Sequence, residues 1–330
     1  GNWYVKIRYT DWTGKKKQTT KRGFKTQKDA KRYEVEFLSI KTEDLTMTFG
    51  EFYELYYTYI SKRIKLNTLR TKTTIFENKI LPYFKDKRMC DIKPSDVIKW
   101  QNVMMELETK NNKKFTHDYL KTLHNQLSAL FNYAVRFYNM KNNPARIVGN
   151  MGKEQTKEMN FWTKEEYLKF SNAIMDKEDI YHAFQILYWC GLRLGELLAL
   201  TREDIDLTKS TIRINKSYQR INKQDVITDP KTAKSNRYVQ MPDFLREEME
   251  DYFTRIYDLK DTDRIFIISK SGLHHEMDRG CKISGVKRIR IHDLRHSHVS
   301  LLIDMGFSAV DIANRVGHES VKITYRYAHM

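Results

Sequence analysis

Between Thr48 and Pro144 the chain repeats one local pattern, and that pattern leaves few folds open. A residue that starts helices is followed by apolar side chains at three- and four-residue spacing, and then by a breaker. Thr48-Phe49-Gly50-Glu51 has the form of a capping box, in which threonine and glutamate each satisfy a backbone N–H at the helix start. Phe52, Leu55, Tyr56 and Tyr59 then fall on one face. Asn67 is the expected cap of a second helix, bearing Leu69, Ile75, Ile80 and Leu81 and stopping near Pro82. Lys93-Pro94-Ser95-Asp96 precedes a third, with Val97, Trp100, Val103 and Met104. Thr116 opens the longest, with Leu120, Leu123, Leu127, Leu130, Phe131 and Ala134, ending before Asn143-Pro144. Four such stripes joined by short connections can be buried only against one another, as a bundle.

The flanks read differently. Trp3 to Tyr9 alternates as a strand, Asp11-Trp12-Thr13-Gly14 reads as a turn, and Lys15 to Phe24 reads as a second strand. Thr26, with Asp29 three residues on, is the expected cap of a helix reaching about Ile40. Residues 149–160 are polar and aperiodic and read as a linker that would let two lobes close around a partner. Thr163-Lys164-Glu165-Glu166 caps the next helix, and Ala183 to Tyr188 is an apolar helical run. Thr211 to Ile214 and Tyr238 to Pro242 read as strands, with a turn over Thr228 to Ser235. The expected class is mainly α with small β-sheets (α+β), in several domains: 1–42, 43–148, a linker at 149–160, and 161–330.

Charge sorts these segments by task. Residues 1–42 hold 12 Lys+Arg against 4 Asp+Glu, or +8. Residues 43–150 hold 18 against 11, or +7, and residues 151–330 hold 29 against 27, or +2. The first half thus carries +15 of the +17 and suits a polyanion held through phosphate contacts. Lys62, Arg63, Lys65, Arg70, Lys72, Lys121 and Arg136 are expected on the bundle's polar faces. No stretch reaches the roughly 18 consecutive apolar residues of a membrane span, so no membrane partner is expected. Cys90, Cys190 and Cys281 are scattered and odd in number, which argues against a disulfide framework and fits a reducing cytosol.

The second half concentrates reactive groups. Ile291-His292-Asp293-Leu294-Arg295-His296-Ser297-His298 is followed by Val316-Gly317-His318 and by Thr324-Tyr325-Arg326-Tyr327-Ala328-His329, with Gly191-Leu192-Arg193-Leu194-Gly195-Glu196 about 100 residues upstream. Breaking a phosphodiester without a metal requires an in-line nucleophile, donors for the nonbridging oxygens, and an acid for the leaving hydroxyl. Guanidinium forks meet the second requirement, and Arg193 and Arg295 are the candidates. His292 and Arg295, three apart, would share a helical face. His292 and His296 have the i, i+4 spacing of a zinc pair, but Asp293 stands where a zincin has Glu and no third ligand has a recognised spacing. No metal or other cofactor is expected, and His296 and His298 are expected to be structural.

These motifs together resemble the catalytic signature of the tyrosine recombinases, the phage-integrase family. The resemblance spans nearly the whole chain. It implies an arm-site-binding domain at 1–42 whose small sheet enters the DNA major groove, a SAM-like core-binding bundle at 43–148, and a catalytic domain at 161–330. It implies Arg193, Lys231, His292, Arg295, His318 and Tyr327 as catalytic residues, with Glu196 buttressing the site. Lys231, in Asp229-Pro230-Lys231-Thr232, is the implied general acid, with Lys234 as competitor. Tyr327 is the implied nucleophile, because the family's tyrosine stands in a Tyr-x-His ending; this selects it over Tyr325. Relatives usually have one more strand at the front and a tail after the nucleophile, so both ends of this chain are expected to be incomplete. The implied partners are double-stranded DNA at attachment sites, three further protomers in a homotetramer on two duplexes, and accessory DNA-bending or excision factors. The implied location is the cytoplasm of a bacterial host, at the nucleoid. A type IB topoisomerase and a catalytically silent DNA-binding protein remain the alternatives.

Overall fold

The computed structural model describes residues 3–10, 16–41, 45–109, 111–152, 159–221, 223–229, 235–325 and 327. The chain forms two compact units, Gly1–Thr156 and Lys157–Met330.

The first unit begins with an antiparallel pair, β1 (Trp3–Thr10) and β2 (Lys16–Phe24), and the helix α1 (Gln27–Lys41). Val5 and Ile7, on one face of β1 as alternation requires, are buried together with Ala30 of α1. Thr26 accepts the N–H of Asp29, as expected of a cap. The helical part follows as α2 (Phe49–Ser61), α3 (Leu66–Ile75), a π-helical turn (Phe76–Ile80), α4 (Leu81–Phe84), α5 (Pro94–Glu106), α6 (His117–Phe137) and α7 (Pro144–Val148). The capping box at Thr48 and Glu51 forms in both directions, and Thr116 caps α6 through the N–H of Tyr119. Every apolar residue expected on the buried stripe of α6 is buried. The core is aromatic, with Phe49, Phe52, Phe76, Phe84, Trp100 and Phe131 shut off from solvent.

Several expectations for this bundle are corrected. Asn67 is not a cap: α3 starts at Leu66 behind Lys65, which makes no side-chain cap bond. Pro82 does not end the helix either. The π turn restarts the hydrogen-bond ladder, so Pro82 falls in the first turn of α4, where a missing N–H costs nothing. Lys72 is half-buried rather than solvated; it donates to the Tyr56 hydroxyl at 2.7 Å, and burial pushes its pKa down to about 8. Met151, within the expected linker, is buried in this unit's core. Residues 153–158 of the linker lie outside the described residues.

The second unit carries α8 (Lys164–Asn172), α9 (Glu178–Trp189), α10 (Leu194–Leu197), β3 (Ile205–Asp206), β4 (Thr211–Ile214), β5 (Ser217–Ile221), β6 (Gln224–Thr228) and β7 (Arg237–Gln240). It continues with α11 (Asp243–Arg255), α12 (Lys270–Ser284), α13 (Asp293–Asp304), α14 (Ala309–Val316) and α15 (Val321–Tyr325). The strands form two antiparallel sheets, β3-β4-β7 and β5-β6. Trp162 is fully buried and fastens the start of this unit to α13: its N–H donates to the Ser297 hydroxyl and its indole N–H to the Lys287 carbonyl. Among the described residues no helix is long and apolar enough to cross a membrane.

Candidate active site

Two glycine turns hold the arginines. Gly191 ends α9 with φ +65°, and a Cβ there would lie 2.5 Å from the His298 ring, so both conformation and space demand glycine. Its carbonyl accepts from the Arg295 guanidinium at 2.8 Å. Gly317 ends α14 with φ +65°, and its carbonyl accepts from Arg193 at 3.2 Å. Arg295 also donates to the Val316 carbonyl. Both guanidinium groups are therefore drawn to the 316–317 corner, next to His318. Arg295 is only 2 % exposed, and burial, with Arg193 beside it, pushes its pKa down. An arginine stays charged nonetheless, so its cost of burial falls when an anion arrives.

Glu196 organises this charge from below. It sits on α10, where Arg193 occupies the N-cap position, and accepts from Arg193 at 2.7 Å and from Arg237 at 2.9 Å. Burial pushes its carboxyl up, but the hydrogen bond and charge of Arg237, with Arg193 added, hold it at about 2. Arg237 was not among the residues singled out in the sequence. It is buried, pairs with Glu196 and donates to the Arg315 carbonyl. The signal was available: strand alternation sets Arg237 on the same face as Val239 and Met241, which are both buried.

The imidazoles and the phenol gather on α13, just past the end of α14 and in the turn after α15. His318 is buried, and its Nδ1 lies 2.9 Å from the Thr324 hydroxyl. Its ring lies nearly parallel to that of Tyr327, with centroids 6.4 Å apart. Burial first, then Arg295 and Arg193, push its pKa down to about 4. Tyr327 is buried, whereas Tyr325 is exposed. The Tyr327 hydroxyl lies 2.5 Å from Nδ1 of His296. His296 is expected from the sequence to be structural, and the sequence gives no sign of this contact. His298 does pack: it lies under Gly191 and accepts the Nε–H of Arg315 at 3.0 Å. His292 stands at the N-cap of α13 with its ring 5.2 Å from that of His296 and keeps a face open to solvent. Crowding by protein atoms, then His296 and Arg295, push its pKa down to about 4.

Of the six implied catalytic residues, Arg193, His292, Arg295, His318 and Tyr327 thus belong to one contiguous cluster. Lys231 and its competitor Lys234 lie outside the described residues. A pocket of about 550 Å³ lined by Thr48, Glu51, Glu77 and Lys85 belongs to the first unit and has no part in this cluster. Among the described residues no group of three or more His, Cys, Asp or Glu is arranged to hold a metal.

Comparison with known proteins places this arrangement. Residues 150–330 match the phage integrase family, residues 48–105 its N-terminal SAM-like domain, and residues 1–39 an arm DNA-binding domain. The ICEBs1 integrase of Bacillus subtilis is 30 % identical over 285 residues, covering 81 % of this chain and 74 % of that protein. The Tn1549 transposon integrase, solved with transposon right end DNA, superposes with a TM-score of 0.69 at 18 % identity over 85 % of this chain and 94 % of that one. Lambda integrase, solved as a tetramer bound to a Holliday junction, superposes with a TM-score of 0.61 at 17 % identity over 97 % and 91 %. The chain belongs to the phage integrase family and is a tyrosine-type site-specific recombinase.

Proposed function

We propose that Tyr327 attacks the scissile phosphate of an attachment site, forming a 3′-phosphotyrosyl bond and freeing a 5′-hydroxyl. The observation that carries this is the cluster itself: two guanidinium groups converge on the corner beside His318, and a buried tyrosine stands against the same histidine. Arg193 and Arg295 would exchange their carbonyl partners for the nonbridging oxygens, and charged donors to phosphate are the stronger ones. His292 and His318 would add neutral N–H donors. Lys231, with Lys234 as the competitor, would protonate the departing oxygen. A 5′-hydroxyl from a partner duplex then reverses the step; the bond energy stays in the phosphotyrosine, so rejoining draws on no ATP.

We further propose the division of labour of an integrase: residues 1–42 on arm sites, 43–148 over the core site, and 161–330 for catalysis, joined through 149–160. The family match, the +15 carried by the first 150 residues and the DNA-bound relatives support double-stranded DNA as the partner. The tetramer reported for lambda integrase supports four protomers on two duplexes. Accessory bending or excision factors, and action on the DNA of a bacterial cytoplasm, complete the proposal. The test is incubation with supercoiled plasmid followed by SDS. Wild type should relax the plasmid and leave SDS-resistant adducts, and Tyr327→Phe should do neither. Adducts that persist in Tyr327→Phe would overturn the assignment of the nucleophile.

A further inference from the structure

We propose that His296 is a further catalytic residue, which takes the Tyr327 proton on Nδ1 while Asp293 orients it. This rests on Tyr327 being the nucleophile. Helix spacing comes first: His296 is three residues after Asp293 on α13, so the two share a face. Nδ1 faces the Tyr327 hydroxyl at 2.5 Å, and Nε2 faces the Asp293 carboxylate at 3.7 Å. A neutral imidazole carries one proton. The carboxylate draws it to Nε2, which leaves Nδ1 as the acceptor the phenol needs. Asp293 is 1 % exposed and fixed by the N–H, Nε and Nη2 of Arg290, so it cannot swing away.

The neighbouring groups support the same assignment. Asp293, Arg290, Arg295, His292 and Tyr327 all face this ring. Burial pushes the ring's pKa down, Asp293 pulls it up, and Arg290 and Arg295 push it down further. His318 has its Nδ1 committed to Thr324, and its ring centroid is farther from Tyr327 than that of His296, 6.4 against 5.4 Å. An unperturbed phenol has a pKa near 10, so attack at neutral pH requires such an acceptor. In the step, the phenolic O–H bond breaks as the O–P bond forms, and the proton passes to Nδ1. The bond from phosphorus to the 5′-oxygen breaks, and that oxygen takes a proton from a separate acid. On rejoining, the imidazolium returns its proton to the tyrosine oxygen.

The experiment compares wild type, His296→Ala and Tyr327→Phe for the rate of SDS-resistant adduct formation on supercoiled plasmid from pH 6.5 to 9.5. Wild type should be nearly flat above pH 7. His296→Ala should be about 100-fold slower at pH 7, climb about tenfold per pH unit towards the phenol's own pKa, and recover in added imidazole. A wild-type rate and profile in His296→Ala, or a loss that is equal at every pH and unmoved by imidazole, would overturn the proposal. Nitrogen-15 spectra of the full chain give a readout without DNA. A proton on Nε2 of His296 is expected, and a proton resident on Nδ1 would overturn it. If Tyr327→Phe still forms adducts, the nucleophile reading fails; if only His296→Ala behaves as wild type, this proposal alone fails.

Discussion

The two units handle charge in opposite ways. The first holds nearly all of the net positive charge, yet among its described residues no Asp, Glu, Lys or Arg is buried; its core is aromatic and aliphatic. The second is close to neutral, yet buries Glu196, Asp204, Arg237, Glu276, Asp293 and Arg295. Surface cations cost the fold little and attract a polyanion at long range. Buried ions are expensive and are retained when paired, as Glu196 is with Arg237, or hydrogen-bonded, as Arg295 is to two carbonyls. At Arg295 and Glu196 that cost is borne within the cluster proposed to act on the phosphate. On the proposed function, the net charge lies in the unit that would grip the DNA. The buried Arg295, Arg237 and Glu196 lie in the unit that would act on it, while buried Asp204 and Glu276 pair with Lys216 and Lys177 outside the cluster.

The contrast can be broken at several points. The largest effect is expected at Arg295. Arg295→Lys loses the planar fork that reaches two acceptors, and adduct formation on supercoiled plasmid should fall about 1000-fold. Retention of plasmid in a gel-shift at low salt should barely change if, as proposed, the first unit supplies the grip. Next comes Glu196→Gln, which leaves Arg237 and Arg193 without a countercharge. It should destabilise the second unit by about 3 kcal/mol in urea unfolding. Glu54→Gln, on the exposed face of α2, should stay within about 0.5 kcal/mol.

Acid should then separate the units. The folded pKa of His318, about 4, lies below the ordinary histidine value, so at neutral pH the group is uncharged whether folded or not. As pH falls from about 6.5 to 4 only the unfolded chain takes up the proton, and stability is lost. Glu196 works lower down: its stabilisation is complete above the ordinary carboxylate pKa and is lost as pH falls towards about 2. Urea midpoints read at pH 7 and pH 5 should drop more for the second unit than for the first. The smallest effect is expected for Lys62, Arg63 and Lys65 changed together to Ala. Folding should be nearly unmoved, while the slope of DNA affinity against salt falls by roughly 0.9 for each phosphate these cations had neutralised.

What could be read in the sequence follows from range. The caps at Thr48, Thr116 and Thr163 and the stripe of α6 are local patterns, and they fold as read. The π turn at Phe76–Ile80 has no local signature, so Pro82 looked like a terminus. The β5-β6 hairpin was missed because Ser217–Ile221 and Gln224–Thr228 are mostly polar, with little apolar alternation to reveal them. At the site, the motifs identified the arginines that meet at the 316–317 corner and the Glu196 that buttresses them, but not Arg237 or the place of His296 beside Tyr327. Arg237 reaches Glu196 from 41 residues away, and His296 reaches Tyr327 from 31. Only the fold makes those pairs.

In the proposed reaction the buried Tyr327, not the exposed Tyr325, carries the DNA. The direct measurement is proteolysis of the SDS-trapped adduct, nuclease trimming, and mass spectrometry of the peptide that retains a nucleotide. The mass of a 3′-linked nucleotide on Tyr327 is predicted. The same mass on Tyr325, or on any residue outside the cluster, would contradict the account.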